Sequence, residues 1–152
     1  MALLYVLTLL LSTAALLAAA AAPLLMARGS RSAVLLYAAF SPLCHQDPER
    51  CFLLAGFPMA VCARCSGIYL GSFLGLVVRP FVRPLADLRP PRPPAFLAVS
   101  LPLAVDAAGN ILRLWSSPAP IRFAVGLLWG LILPFYFLSG LGGLFASRSE
   151  TQ

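Results

Sequence analysis

Charge is scarce in this chain, and lysine is missing altogether. Only 11% of the 152 residues are charged, and eleven arginines supply the cations. An ordinary soluble domain carries about 25% charged and about 45–50% apolar residues. Here 61% of residues are hydrophobic. A chain this short and this apolar cannot hide its greasy surface in one water-soluble core, so lipid is its natural solvent and a soluble enzyme is excluded. The formal charge of +6 would otherwise suggest nucleic acid, but a basic face and an aromatic platform are both lacking. The bilayer is therefore the expected partner, and the arginines lie in connections between apolar runs, where positive charge sets membrane orientation. A positive stretch ahead of the first apolar run is also absent. That run, residues 3–25, exceeds the roughly 7–15 apolar residues of a signal peptide. It is expected to be a retained helix, with residues 18–22 the place where cleavage would otherwise fall.

What is present is a series of apolar runs. About 20 residues are needed to span the hydrocarbon core as a helix. Residues 3–26, 57–78, 95–112 and 121–145 meet that length, with Pro58 near a first helical turn, where proline is tolerated. Residues 79–94 form a Pro- and Arg-rich connection that is extended and not helical. A polar tail, residues 146–152, ends the chain. The difficult segment is 32–45. As a helix it would reach roughly 21 Å, short of the roughly 30 Å core. It is either a short span or a re-entrant half-helix. Loop charge favours a span, because Arg28, Arg31, Arg79, Arg83, Arg89, Arg92 and Arg148 then share the cytoplasmic side. The expectation is an all-α polytopic bundle in the cell membrane. It has five, alternatively four, membrane segments, with its N-terminus outside and its C-terminus inside. Gly67, Gly71 and Gly75 recur on one helix face, and Gly126 and Gly130 on another. Such faces let helix backbones approach closely in lipid, within one chain or between two copies.

Four cysteines and the single histidine fall within residues 44–65. Residues 46–56 form a loop, turned by Asp47-Pro48, so Cys44 and His45 at one helix end face Cys62 and Cys65 at the next helix start. Cys62 and Cys65 are three apart and share a face. Helix N-terminal amides and Arg64 favour their thiolates. One reading is a tetrahedral metal site, most simply zinc, held by Cys44, His45, Cys62 and Cys65. A second is a thiol–disulfide oxidoreductase in which Cys62–Cys65 exchanges with a Cys44–Cys51 pair. A third leaves the cysteines as small buried hydrophobes, or as a staple in a structural or assembly subunit. There is no second C-x-x-C to make the zinc signature complete.

Asp106 lies inside the third long span, where a carboxylate costs at least about 2.5 kcal/mol and calls for a partner. Asn110 and Arg113 share its helix face, Arg113 roughly 10 Å along, and Arg122 opens the next span. Asp106, Arg113 and Arg122 are thus a candidate polar pocket beside the cysteines. Its arginines suit bidentate contact with an anionic lipid or small-molecule ligand.

The stretch Cys44-His45-Gln46, Arg50, Phe52, Pro58, then Cys62-Ala63-Arg64-Cys65-Ser66-Gly67-Ile68-Tyr69-Leu70-Gly71, resembles the signature of a bacterial and archaeal membrane-protein family, domain of unknown function 2085. Pro102-Leu103, Asp106, Arg113, Arg122, Gly126 and Gly130 resemble its second half. The resemblance implies a small polytopic protein whose Cys, His, Asp and Arg positions carry its role. Cys51 stands where that pattern leads us to expect serine, which argues against a required Cys44–Cys51 pair.

Overall fold

The computed structural model describes residues 2–84, 87 and 92–149, with residues 143–149 as backbone alone. Part of the Pro- and Arg-rich connection, Arg89 included, and the end of the polar tail lie outside the described residues. In chain order the elements are α1 (Ala2–Ala27), α2 (Ser32–Phe40), β1 (Cys51–Leu54), β2 (Phe57–Cys62), α3 (Ala63–Val82), α4 (Pro93–Ile111) and α5 (Ala119–Ser149). A short 3-10 turn, Pro48–Arg50, precedes β1. Four of the helices, all but α2, are long and apolar enough to cross a membrane. Their outer faces carry the apolar surface that composition demands. Leu3 and Phe81, for example, are 71% and 86% exposed, which suits lipid and not water.

Helix directions follow from which residues meet. The Tyr5 hydroxyl donates to the Leu76 carbonyl, 3.0 Å away, while Ala19 and Ala22 near the other end of α1 pack with Val61 and Cys65. Hence α1 and α3 are antiparallel. Gly67 faces Phe123 and Leu127, and Gly75 faces Leu131 and Pro134, so α3 and α5 are parallel. Ser100 accepts from Trp129 at 3.0 Å, and the Phe96 ring packs tilted against Tyr136 at 4.9 Å, so α4 runs antiparallel to α5. The α3–α5 contact is the tightest, because glycine lines it. A Cβ at Gly67, Gly71 or Gly75 would overlap a backbone carbonyl of α5, and one at Gly126 or Gly130 a carbonyl of α3.

Two expectations need correction. Segment 32–45 holds no helix long enough to cross. Its helix, α2, stops at Phe40 and reaches only about 14 Å at 1.5 Å per residue. It folds back on the C-terminal half of α1 and stays at the end of the bundle where α3 begins. Among the described residues, four helices remain that are long and apolar enough to cross. The start of α1 and the end of α5 then lie at the same end of the bundle, not at opposite ends. Loop arginines now divide evenly enough that charge no longer selects an orientation. Residues 57–62 are also not helical. They pair with β1 as an antiparallel hairpin, register Cys51↔Cys62, Leu53↔Pro58 and Leu54↔Phe57. Ala55 and Gly56 both take positive φ, 53° and 81°, as a two-residue primed hairpin turn requires. A two-stranded ribbon is all edge, so Pro58 is tolerated there.

Candidate functional site

The hairpin, the end of α2 and the start of α3 bring three cysteines together. Cys62 is both the last residue of β2 and the N-cap of α3, and Cys65 lies in the first helical turn. Cys44 follows α2 and is buried. The Sγ atoms of Cys44, Cys62 and Cys65 all lie within 4.8 Å of one another. The Cys62 backbone N–H donates to Cys44 Sγ at 3.2 Å. Thiol hydrogen bonds from Cys62 and Cys65 hold the Cys44 thiol well below its ordinary pKa, against the opposing effect of burial. The cluster is walled by Ala19, Ala22, Phe40, Ala60 and Val61. Tyr69 closes it, packed edge-on against Phe40 at 5.9 Å.

Gln46 sets the loop that carries Cys44. Its φ is 52°, a left-handed value unusual for a non-glycine residue. Its side-chain amide donates to the Tyr37 carbonyl at 2.7 Å and the Ala60 carbonyl at 2.8 Å, tying the end of α2 to β2. His45 is exposed and lies outside the group of close sulfurs. Cys51 is buried and sits opposite Cys62 in the ribbon, but its thiol is not in that group either. Burial pushes the Cys51 thiol up to about 12, reinforced by negative charge on Cys62, Cys44 and Asp47. All four cysteines are free.

A second cluster lies at the same end of the bundle. Asp106 is 6% exposed. Its carboxylate accepts from the Arg64 guanidinium and the Ser117 hydroxyl, and from the Asn110 amide at 3.1 Å. Arg122, 5% exposed, donates to Asn110 Oδ1 at 2.6 Å and to the Ser117 carbonyl at 2.8 Å. Arg113 does not join this network. The helix ends at Ile111, and Arg113 takes φ 57° while the Leu114 N–H returns to the Gly109 carbonyl at 2.9 Å. This Schellman-type ending turns the chain, and the Arg113 side chain is exposed. Gly109 is required there, since a Cβ would overlap the Trp115 ring.

Arg64 joins the two clusters. It stands between Cys62 and Cys65 in the chain and pairs with Asp106 across the bundle. Its spacing alone suggested only support for the thiolates. The carboxylate at Asp106 called for a cation, but nothing in the spacing singled out Arg64 as the one. Ser117 lies in the α4–α5 connection and carries no sequence signal of its role. Between the clusters is a cavity of about 140 Å³. Its walls are His45, Gln46, Asp47 and Arg50 from the loop, Cys62 and Arg64 from the start of α3, and Arg122 from α5.

Three thiols at these distances suit a soft metal ion. Zinc–sulfur bonds of about 2.3 Å in a tetrahedral site place sulfurs about 3.8 Å apart, within the separation found here.

Two archaeal relatives each match more than half of the chain. An uncharacterized protein of Methanocaldococcus jannaschii is 39% identical over 106 residues, 70% of this chain and 68% of that protein. An uncharacterized protein of Methanothermobacter thermautotrophicus is 34% identical over 92 residues, 60% of this chain and 81% of that protein. No solved structure matches the chain. The profile of one family matches residues 44–136, a range that opens on the first cysteine of the cluster and holds Asp106 and Arg122. This polytopic helical chain therefore belongs to the family described as predicted membrane protein DUF2085.

Proposed function

We propose that the protein is a membrane metal-binding protein in which Cys44, Cys62 and Cys65 hold one soft divalent ion, zinc in the simplest case. The observation that carries this is the approach of three sulfurs within 4.8 Å, drawn from a loop, a strand end and a helix start. Small buried hydrophobes have no reason to converge sulfur on sulfur. The donors are of the class that zinc takes. Three thiolates leave a fourth position, and His45 is the residue proposed for it. His45 adjoins Cys44 and lies on the wall of the cavity that also reaches Cys62. A metal bound here would fix the loop, hairpin and helix start relative to one another, and would present an open face to the polar cavity. Asp106 and Arg122 are proposed to shape that cavity. Arg113 is the weakest member of the sequence-derived pocket, being exposed at a helix end.

The oxidoreductase reading needs two cysteine pairs. Cys51 stays outside the sulfur group, which leaves three thiols and no partner pair, so the metal reading is preferred. A staple with no chemistry is the remaining alternative.

Metal analysis of the full-length protein, purified in a non-ionic detergent, tests the proposal. Near one equivalent of zinc per chain is expected. Cys44→Ser, Cys62→Ser and Cys65→Ser should each lose most of it, while Cys51→Ser keeps it and His45→Ala binds more weakly. Wild-type protein that takes up no metal after exposure to zinc under reducing conditions would overturn the reading. Zinc held equally by all the cysteine variants would do the same.

A further inference from the structure

Around the cavity beside the thiols, guanidinium groups outnumber carboxylates. Three guanidinium groups border it, those of Arg50, Arg64 and Arg122. Asp47 pairs with Arg50 at 2.8 Å, and Asp106 pairs with Arg64. Arg122 is left with neutral acceptors, Asn110 Oδ1 and the Ser117 carbonyl, and among the described residues it forms no ion pair. Sharing Asp106 between Arg64 and Arg122 does not alter the sum, since two cations then face one anion. Arg122 is 5% exposed. A buried charge without a counter-ion is expensive, and usually the group neutralises instead. Arginine cannot do so, because it stays protonated in proteins. Among these groups no carboxylate is left over to balance it, and Arg122 lines the cavity.

We infer that this cavity is a binding site for a small oxyanion of the phosphate type, held chiefly by Arg122 with Arg64 and Arg50. Its size fits. About 140 Å³ is room for several water molecules, enough for a small tetrahedral anion. Guanidinium groups present paired N–H donors in a fixed fork that matches phosphate oxygens. Asp47 and Asp106 are already engaged with arginines, so neither is left as a free carboxylate to repel the anion. The inference does not rest on a metal at the cysteines, because all three arginines and both carboxylates belong to the protein itself.

Full-length protein in non-ionic detergent, titrated with inorganic phosphate by calorimetry, supplies one arm of the test. The other compares thermal stability in nanodiscs of phosphatidylcholine alone and with phosphatidic acid added. Saturable one-to-one binding of inorganic phosphate identifies a soluble oxyanion. Stabilisation by phosphatidic acid alone identifies a lipid headgroup phosphate, and both results support the site. Arg122→Gln should weaken binding about tenfold or more, the loss expected for one charge-assisted hydrogen bond. Arg50→Gln, on an exposed loop, leaves the fold intact and should weaken it severalfold. Arg28→Gln, on an exposed turn outside the cavity, should bind the anion as wild type does, and Arg122→Gln should keep its metal, which separates this site from the metal reading. No response to either phosphate source overturns the inference. So does a response unchanged in both the Arg122 and Arg50 variants, or one lost in Arg28→Gln.

Discussion

Arg64 shows how one residue can serve two neighbourhoods. Its backbone belongs to the first turn of α3, between two cysteines, while its guanidinium crosses to Asp106 on α4. The ion pair is largely removed from water, with side-chain exposures of 23% for Arg64 and 7% for Asp106. Breaking one side of a buried pair is costly because the other charge is stranded, typically by about 3–5 kcal/mol. Asp106→Asn is therefore expected to destabilise the protein by about 3 kcal/mol, the low end, since Arg64 keeps some exposure. Equilibrium unfolding in mixed detergent measures it. The double variant Arg64→Gln with Asp106→Asn should cost less than the two single changes added together, as coupled neighbours do. Additive losses would mean the pair is not an energetic unit. Asp106 was recognisable from sequence as a residue needing a partner. The identity of that partner was not, because it lies 42 positions away and no local spacing connects them.

At the scale of the elements, the α3–α5 seam has the clearest origin in sequence. Without a hydrophobic force between helices in lipid, close packing at small residues holds them together, and the four-residue glycine spacing puts those residues on one face. Gly71→Ala pushes a methyl group into the Leu127 carbonyl and the adjoining backbone. Overpacking of this kind costs typically about 1–3 kcal/mol, and a rigid backbone partner places it at the upper end. Gly140→Ala meets open space and should be neutral, with alanine's better helix propensity in its favour. Comparing the melting temperatures of the two variants checks this. Equal behaviour would show that the glycines are incidental. The hairpin was harder to foresee. Residues 57–62 are a short apolar run, and such a run reads equally as strand or helix. The turn at Ala55-Gly56 decides the matter by bringing Cys51 opposite Cys62.

For the whole molecule, α1 antiparallel to α3 and α3 parallel to α5 put the start of α1 and the end of α5 at one end of the bundle. Labels at the two ends should therefore report the same side of the membrane. Impermeant thiol labelling of single cysteines added at each terminus, on a background lacking the native four, measures this directly. Labelling of one terminus only would restore a crossing by α2 and reject the four-span arrangement. The Cys/Arg end of the bundle should respond as one side too, with Arg28, Arg50 and Arg113 accessible together.

Composition and run length alone were enough to establish a multi-pass helical membrane protein. Both report the sum of apolar surface, which needs no knowledge of what touches what. The Cys44, Cys62 and Cys65 group, the carboxylate at Asp106 and the glycine seams were likewise visible as residues. Which way each helix runs, that α2 turns back, that Arg113 swings away while Arg64 swings in, and that a cationic cavity opens beside the thiols were decided only by tertiary structure. Those outcomes depend on pairings between residues far apart in the chain, and on where a helix stops. Closing one turn at Arg113 redirects a side chain that helical periodicity had assigned to the interior.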